Sequence, residues 1–189
     1  MTFIKTIAAT ALTGFVALGF ASASLATPKV TEVVEGSGEA HLLLLDAIAR
    51  NGVKFTINDD YCFEKEGIMG FYSGRRRSLV VCQDNAVKGG GTAKWTANDL
   101  DTLRHEAQHM IQDCAVGTNH DHQLAPIYSS PTALAQRELG PEAVARITQA
   151  YREDGASDLL LLLEYEAFAV ASLNVPAEQA ADVTKYCGV

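Results

Sequence analysis

Between Thr102 and Ile111 the chain reads Thr-Leu-Arg-His-Glu-Ala-Gln-His-Met-Ile, and no other segment limits the fold as much. Its two histidines and its glutamate are interleaved with Leu100, Leu103, Ala107, Met110 and Ile111, which recur at the spacing of a helix's buried stripe. Thr96 or Asn98 can cap such a helix. Asp99 and Asp101 then lie in its first turn, where the macrodipole favours negative charge, and it runs to about Cys114. His105 and His109 are four apart, so their imidazoles project from one face and can both bind one zinc ion, while Glu106 can reach a water beside them. A chain of 189 residues builds a core without a structural metal, so an ion held here is expected to be functional.

The N-terminus points to export. Lys5, an apolar run from Ile7 to Phe20, and the small residues Ala21-Ser22-Ala23 and Ser24-Leu25-Ala26 form the three regions of a secretory signal. The expected organisation is a signal peptide over residues 1–26 and a single domain over 27–189, the mature chain beginning near Ser24 or Thr27. The apolar run is shorter than the roughly 20 residues that span a bilayer, and no Cys follows it to carry a lipid; an uncleaved signal anchor is the competing reading. The formal charge of −8 becomes −9 when Lys5 is removed. That acidity argues against nucleic acid and anionic membrane surfaces as partners, and the expected location is periplasmic or secreted.

Export makes the four cysteines disulfide candidates, with three possible connectivities. Cys62 precedes the strand-like run Ile68–Tyr72, and Cys82 ends the run Leu79–Val81. A hairpin turning at Ser73–Arg77 would bring these two sulfurs together, leaving Cys114 to pair with Cys187. No C-x-x-C pair exists to favour a cysteine zinc site. Around the hairpin, Glu39–Asn51 reads as a helix closed by Gly52 and Val53–Ile57 as a strand. Lys88–Thr92 reads as a connector and Ala115–Ser130 as loop. Helices are expected over Glu142–Arg152, from Ser157 or Asp158 through Leu173, and from Pro176 to just before Cys187. The fold class is α+β, a small N-terminal sheet packed on the His-Glu-x-x-His helix with a helical C-terminal half. His41 is expected to be structural, and Arg75-Arg76-Arg77 a solvated turn.

His105-Glu106-Ala107-Gln108-His109 resembles the active-site helix of the zincin metallopeptidases. Met110–Ala115 lacks the Gly and third His of the metzincin branch. In the gluzincin branch the third zinc ligand is a Glu on a downstream helix, and Glu166-Ala167-Phe168-Ala169 resembles that pattern, which implies Glu166 as third ligand; Glu164 is the rival, two residues earlier. One helix cannot present both to one ion. The acidic residue that many gluzincins carry four positions after the third ligand is missing here, the candidate positions being Phe168 and Val170. Asp101 and Asp113, each four from a histidine, are candidates to orient the imidazoles instead. His120, His122 and Tyr128 are candidates for transition-state stabilisation, while Tyr165 reads as core packing.

The resemblance implies a zincin-like fold and an exported zinc peptidase. Two imidazoles and a carboxylate would hold Zn2+, Glu106 would serve as general base, and a peptide or protein substrate would lie extended along an edge strand of the sheet. The reading from another class is a non-catalytic, disulfide-stabilised exported binding module whose metal site is structural or degenerate.

Overall fold

A computed structural model describes residues 34–117 and 123–188. The expected signal peptide and the His120-Asp121-His122 cluster lie outside these described residues. The chain forms α1 (Val34–Arg50), β1 (Lys54–Ile57), a single turn α2 (Tyr61–Glu64), β2 (Gly70–Ser73), β3 (Ser78–Val81), α3 (Ala97–Ala115), α4 (Pro131–Leu139), α5 (Pro141–Glu153), α6 (Asp158–Leu173) and α7 (Pro176–Cys187). The class is α+β. Its sheet has three strands in the order β1-β3-β2, with β1 parallel and β2 antiparallel to β3. The hairpin is where the alternation placed it, paired Gly70 to Val81 and Ser73 to Ser78.

The disulfides are Cys62–Cys82, with Cα atoms 5.4 Å apart, and Cys114–Cys187, at 4.9 Å. The first ties α2 to the end of β3. The second fixes the C-terminus to the end of α3.

Helix α3 starts where Thr96 caps it. The Thr96 hydroxyl accepts the Asp99 N–H at 3.1 Å, and the Asp99 carboxylate accepts the Thr96 N–H at 2.8 Å, a reciprocal pairing that satisfies two otherwise orphaned donors. The apolar stripe suggests a half-exposed helix, but every residue from Thr102 to Asp113 is buried. α3 is the central element. On one side Leu103, Met110 and Ile111 pack with Leu44 and Ile48 of α1, Leu79 and Val81 of β3, and Val183 of α7. On the other, α3 meets α6, which in turn covers α4 and α5 through Leu161, Tyr165 and Val170 against Leu134, Val144 and Ile147.

Three features lock α3 in place beside its histidines. The Arg104 guanidinium is buried and donates through Nε to the Ala171 carbonyl of α6 at 3.0 Å; it also contacts Nε2 of His41 on α1 at 2.7 Å and pairs with Asp101. His41 is thus structural, as expected. Gln179 of α7 donates to the Arg104 carbonyl at 2.8 Å. From the sheet side, Gly70 lets β2 lie directly on the helix. A Cβ there would stand 2.6 Å from Thr102 Cγ2 and 3.2 Å from Glu106 Cγ, so no larger residue fits this approach without displacement. Helix α4 falls in a stretch that carried no expected element, beginning on Pro131 where the expected loop ends at Ser130.

Candidate metal centre

His105 and His109 point from α3 toward α6, and their Nε2 atoms lie 3.1 Å apart. The carboxylate of Glu164 faces both, with Oε2 3.2 Å from His105 Nε2 and Oε1 3.4 Å from His109 Nε2. These three residues form the group among the described residues able to hold a metal ion, and all three are buried. In a tetrahedral site with arms of about 2.0–2.1 Å, the ligand atoms stand about 3.3 Å from one another. The three separations here bracket that value, and two imidazoles with one carboxylate suit zinc or a similar divalent ion. The residues fit the group that the motif implies.

The carboxylate that meets the imidazoles is that of Glu164, which corrects the expectation of Glu166. Two residues along a helix turn the side chain through about 200°, so presenting one glutamate to α3's histidines turns the other away. Glu166 Oε1 accepts from the side-chain amides of Gln108 at 2.9 Å and Gln112 at 3.0 Å, and Oε2 from the backbone N–H groups of Ile127 and Tyr128, each at 2.9 Å. Glu164 receives one further bond, from the Tyr151 hydroxyl of α5 at 2.7 Å.

The imidazoles are not oriented by the aspartates expected to do so. Asp101 pairs with Arg104, and Asp113 accepts from the Tyr72 hydroxyl at 2.7 Å. His109 is held instead by Gln112, whose Oε1 lies 2.8 Å from His109 Nδ1. Both N–H groups of that amide are already directed, one to Glu166 and one to the Leu163 carbonyl at 3.1 Å. Its oxygen therefore faces the ring, and His109 must be the donor at Nδ1. His105 Nδ1 is buried without a hydrogen-bond partner among the described residues; the ring of Phe168 packs against this imidazole with centroids 4.4 Å apart. Phe168 thus stands against the His105 ring, at one of the two positions where an acidic residue was sought.

Glu106 is next to this group and almost fully enclosed, at 1% exposure. The backbone N–H of Tyr72, on the edge strand β2, hydrogen-bonds its carboxylate, while its Oε1 has no partner among the described residues. Burial raises its pKa above the ordinary carboxylate value, the two imidazoles oppose that rise, and the charge of Glu164 adds to it. Burial would also raise Glu164, but His109 and His105 outweigh it and hold that carboxyl far below its usual range. Burial would lower His109, yet the attraction and hydrogen bond of Glu164, with Glu106 assisting, raise it to about 9. Two adjacent carboxyls are thereby driven apart, one strongly anionic and one inclined to take up a proton.

The remaining candidates lie elsewhere. Tyr128 gives Glu166 its backbone N–H, and its side chain is 42% exposed. Tyr165 is buried with its hydroxyl on Thr148. Arg77 of the expected solvated turn donates to the Asn51 carbonyl. A cavity of about 360 Å³, lined by Arg50, Tyr72, Arg77, Asp113 and the Cys114–Cys187 bridge, has none of the three histidine–glutamate residues in its wall. Of the residues that sequence reasoning missed, Gln112 was within reach, since it lies three after His109 on the same helix. Tyr151 was not, because at the spacing of Val144 and Ile147 it reads as another member of α5's apolar stripe.

A family model described as a domain of unknown function (DUF8637) matches residues 34–187. No curated protein and no solved structure matches the chain.

Proposed function

The chain belongs to the DUF8637 family, and we propose that it is an exported, zinc-dependent metallopeptidase that hydrolyses peptide bonds. One observation carries this reading: His105, His109 and Glu164 converge at 3.1, 3.2 and 3.4 Å beside a second buried carboxyl, Glu106, whose Oε1 is unengaged. A divalent ion held by the three residues would supply a Lewis acid for a peptide carbonyl and acidify a water. Glu106 then takes the proton of the attacking water at Oε1 and passes it to the departing amine. A carboxyl whose pKa is raised toward the working pH suits both halves of that task. Glu164 keeps both ring nitrogens turned to one point, and the Tyr151 hydroxyl keeps Glu164 from rotating away. The edge strand β2 is where an extended peptide would be held by backbone pairing, at positions other than Tyr72, whose N–H is taken by Glu106. Two disulfides support an oxidising compartment, and none of the described helices is long and apolar enough to cross a membrane.

A second reading is favoured by the enclosure of the group, none of whose members is more than 8% exposed: a structural ion in a non-catalytic binding module. One experiment separates the two. Metal content by elemental analysis and cleavage of a peptide library are measured for wild type, Glu106→Gln and Glu164→Ala. The peptidase reading expects near-stoichiometric zinc in wild type and in Glu106→Gln, loss of zinc in Glu164→Ala, and cleavage reduced at least 100-fold in Glu106→Gln, by analogy with the general-base contribution of about 10²–10⁴. Zinc without cleavage would leave the structural-site reading, and folded wild type that takes up no divalent ion would refute both.

A further inference from the structure

The proposed chemistry leaves one buried carboxyl unused. Glu166 is fully enclosed, and four N–H groups converge on it: the amides of Gln108 and Gln112 from α3, and the backbone of Ile127 and Tyr128 from the segment that follows. All four partners are donors, so both its oxygens serve as acceptors. Gln112 belongs to the same arrangement twice over, since its backbone carbonyl also accepts the Ala125 N–H at 3.2 Å.

The consequence runs through the Gln112 amide, which cannot turn round while Glu166 is in place. Reversing it would set its oxygen against the Glu166 carboxylate and the Leu163 carbonyl, leaving two pairs of acceptors face to face. Its oxygen is therefore committed to His109 Nδ1, 2.8 Å away. That ring nitrogen carries the hydrogen, and Nε2, the atom 3.1 Å from His105 Nε2, is left with its lone pair toward the centre. We infer that Glu166 is a positioning residue for the metal centre: acting through the amide of Gln112, it sets which nitrogen of His109 carries the hydrogen and hence which is free to bind an ion. This rests on the metal reading above, and it adds the residues that determine affinity.

Glu166→Gln is the informative perturbation. It replaces an acceptor by an amide whose oxygen still serves the Ile127 and Tyr128 N–H groups but whose nitrogen confronts the Gln112 and Gln108 nitrogens. The conflict is relieved when Gln112 turns, and a turned Gln112 offers His109 an N–H where it had offered an oxygen. Moving the carboxylate one step along the chain of contacts, in Gln112→Glu/Glu166→Gln, restores an acceptor at His109 Nδ1 and lets residue 166 donate to residue 112, with the net charge unchanged; the Leu163 carbonyl loses the N–H it accepts in wild type.

The test uses the disulfide-intact protein and zinc alone as probe. Zinc Kd is measured by chelator competition for wild type, Glu166→Gln and the double variant. The His109 ring nitrogens are read by ¹⁵N NMR in the zinc-loaded protein and in the metal-free protein at alkaline pH, above the His109 titration. The expected result is Nδ1–H in metal-free wild type, its loss in Glu166→Gln with zinc bound about 10–100-fold more weakly, the range for removal of a ligand's hydrogen-bond partner, and return of the Nδ1–H signal in the double variant. An Nδ1 without hydrogen in metal-free wild type overturns the inference. So does a Glu166→Gln protein that keeps both the Nδ1–H signal and a Kd within about threefold of wild type, the result expected of a purely structural carboxylate. Should Glu166→Gln fail to fold, the wild-type ring spectrum decides alone. Wild type that binds no zinc overturns the metal reading, and comparison of its ring spectrum with that of Glu166→Gln still reports whether Glu166 sets the tautomer.

Discussion

The His109–Glu164 contact makes the stability of the metal-free protein depend on pH with a definite sign. In the fold His109 is raised from 6.5 to about 9, chiefly by Glu164 acting against burial. A histidine raised on folding contributes stability that is fully present below its unfolded value and lost as pH rises through its folded value. The rise from 6.5 to about 9 corresponds to on the order of 3 kcal/mol. With EDTA present, the unfolding free energy from urea titrations should therefore fall by roughly that amount between pH 6.5 and pH 9. Glu106, also raised, works in the same direction from lower pH, so the measurement is repeated in Glu106→Gln, which should retain most of the decline, and in His109→Gln, which should abolish it. On the acid side Glu164 is depressed, so its contribution is present above its unfolded value of 4.5 and is lost as pH falls below it. If the proposed zinc site is correct, saturating zinc would take the place of the His109 proton and flatten the alkaline limb, adding about 2.7 kcal/mol at one hundred times Kd. A metal-free profile that stays level from pH 6.5 to pH 9, or an unchanged decline in His109→Gln, would refute this account of the contact.

Two further outcomes follow from packing. Gly70→Ala would put a methyl 2.7 Å from the Val80 carbonyl, a backbone atom of the paired strand that cannot turn aside; unfolding in urea should show a loss of about 1–3 kcal/mol, and a neutral result would mean β2 does not lie as tightly on α3 as described. The bridges span 73 and 20 residues, so loop entropy predicts about 4 kcal/mol lost on replacing Cys114 and Cys187 by Ser and about 3 on replacing Cys62 and Cys82. Thermal unfolding of the two double variants checks the order.

How much of this was legible depends on whether the signal was local. The α3 helix was readable because its start is written within four residues, from Thr96 to Asp99, and its stripe within twelve. The disulfide pairing was readable because a short hairpin leaves Cys62 and Cys82 little choice of partner. α4 was not, since its nine residues hold only Pro131, Leu134 and Ala135 as buried positions and look like a continuing loop. The full enclosure of α3 was not legible either. Gln108 and Gln112 lie outside the apolar stripe, and their burial depends on Glu166, 54 or more residues away, which accepts from both.

The choice between Glu164 and Glu166 was beyond sequence reasoning for a physical reason. A helix is phased by the contrast between its faces, and α6 has little: Leu161, Leu163, Tyr165, Ala167, Ala169 and Val170 are buried on all sides of it, as are both glutamates. With no wet face to mark the outside, the rotation of α6 is set by its partners, with Tyr165 and Leu161 turned to α4 and α5 and the opposite side left for α3. Each glutamate then meets a group that only the assembled fold supplies. Glu164 finds two imidazoles and a tyrosine hydroxyl; Glu166 finds two amides and two backbone N–H groups. Buried carboxylates without such partners would cost several kcal/mol each, so the two requirements together fix one rotation of α6. On the proposed metal reading, Glu164→Gln should therefore abolish zinc binding without transferring it to Glu166, a result that elemental analysis of the variant would show as zinc absent.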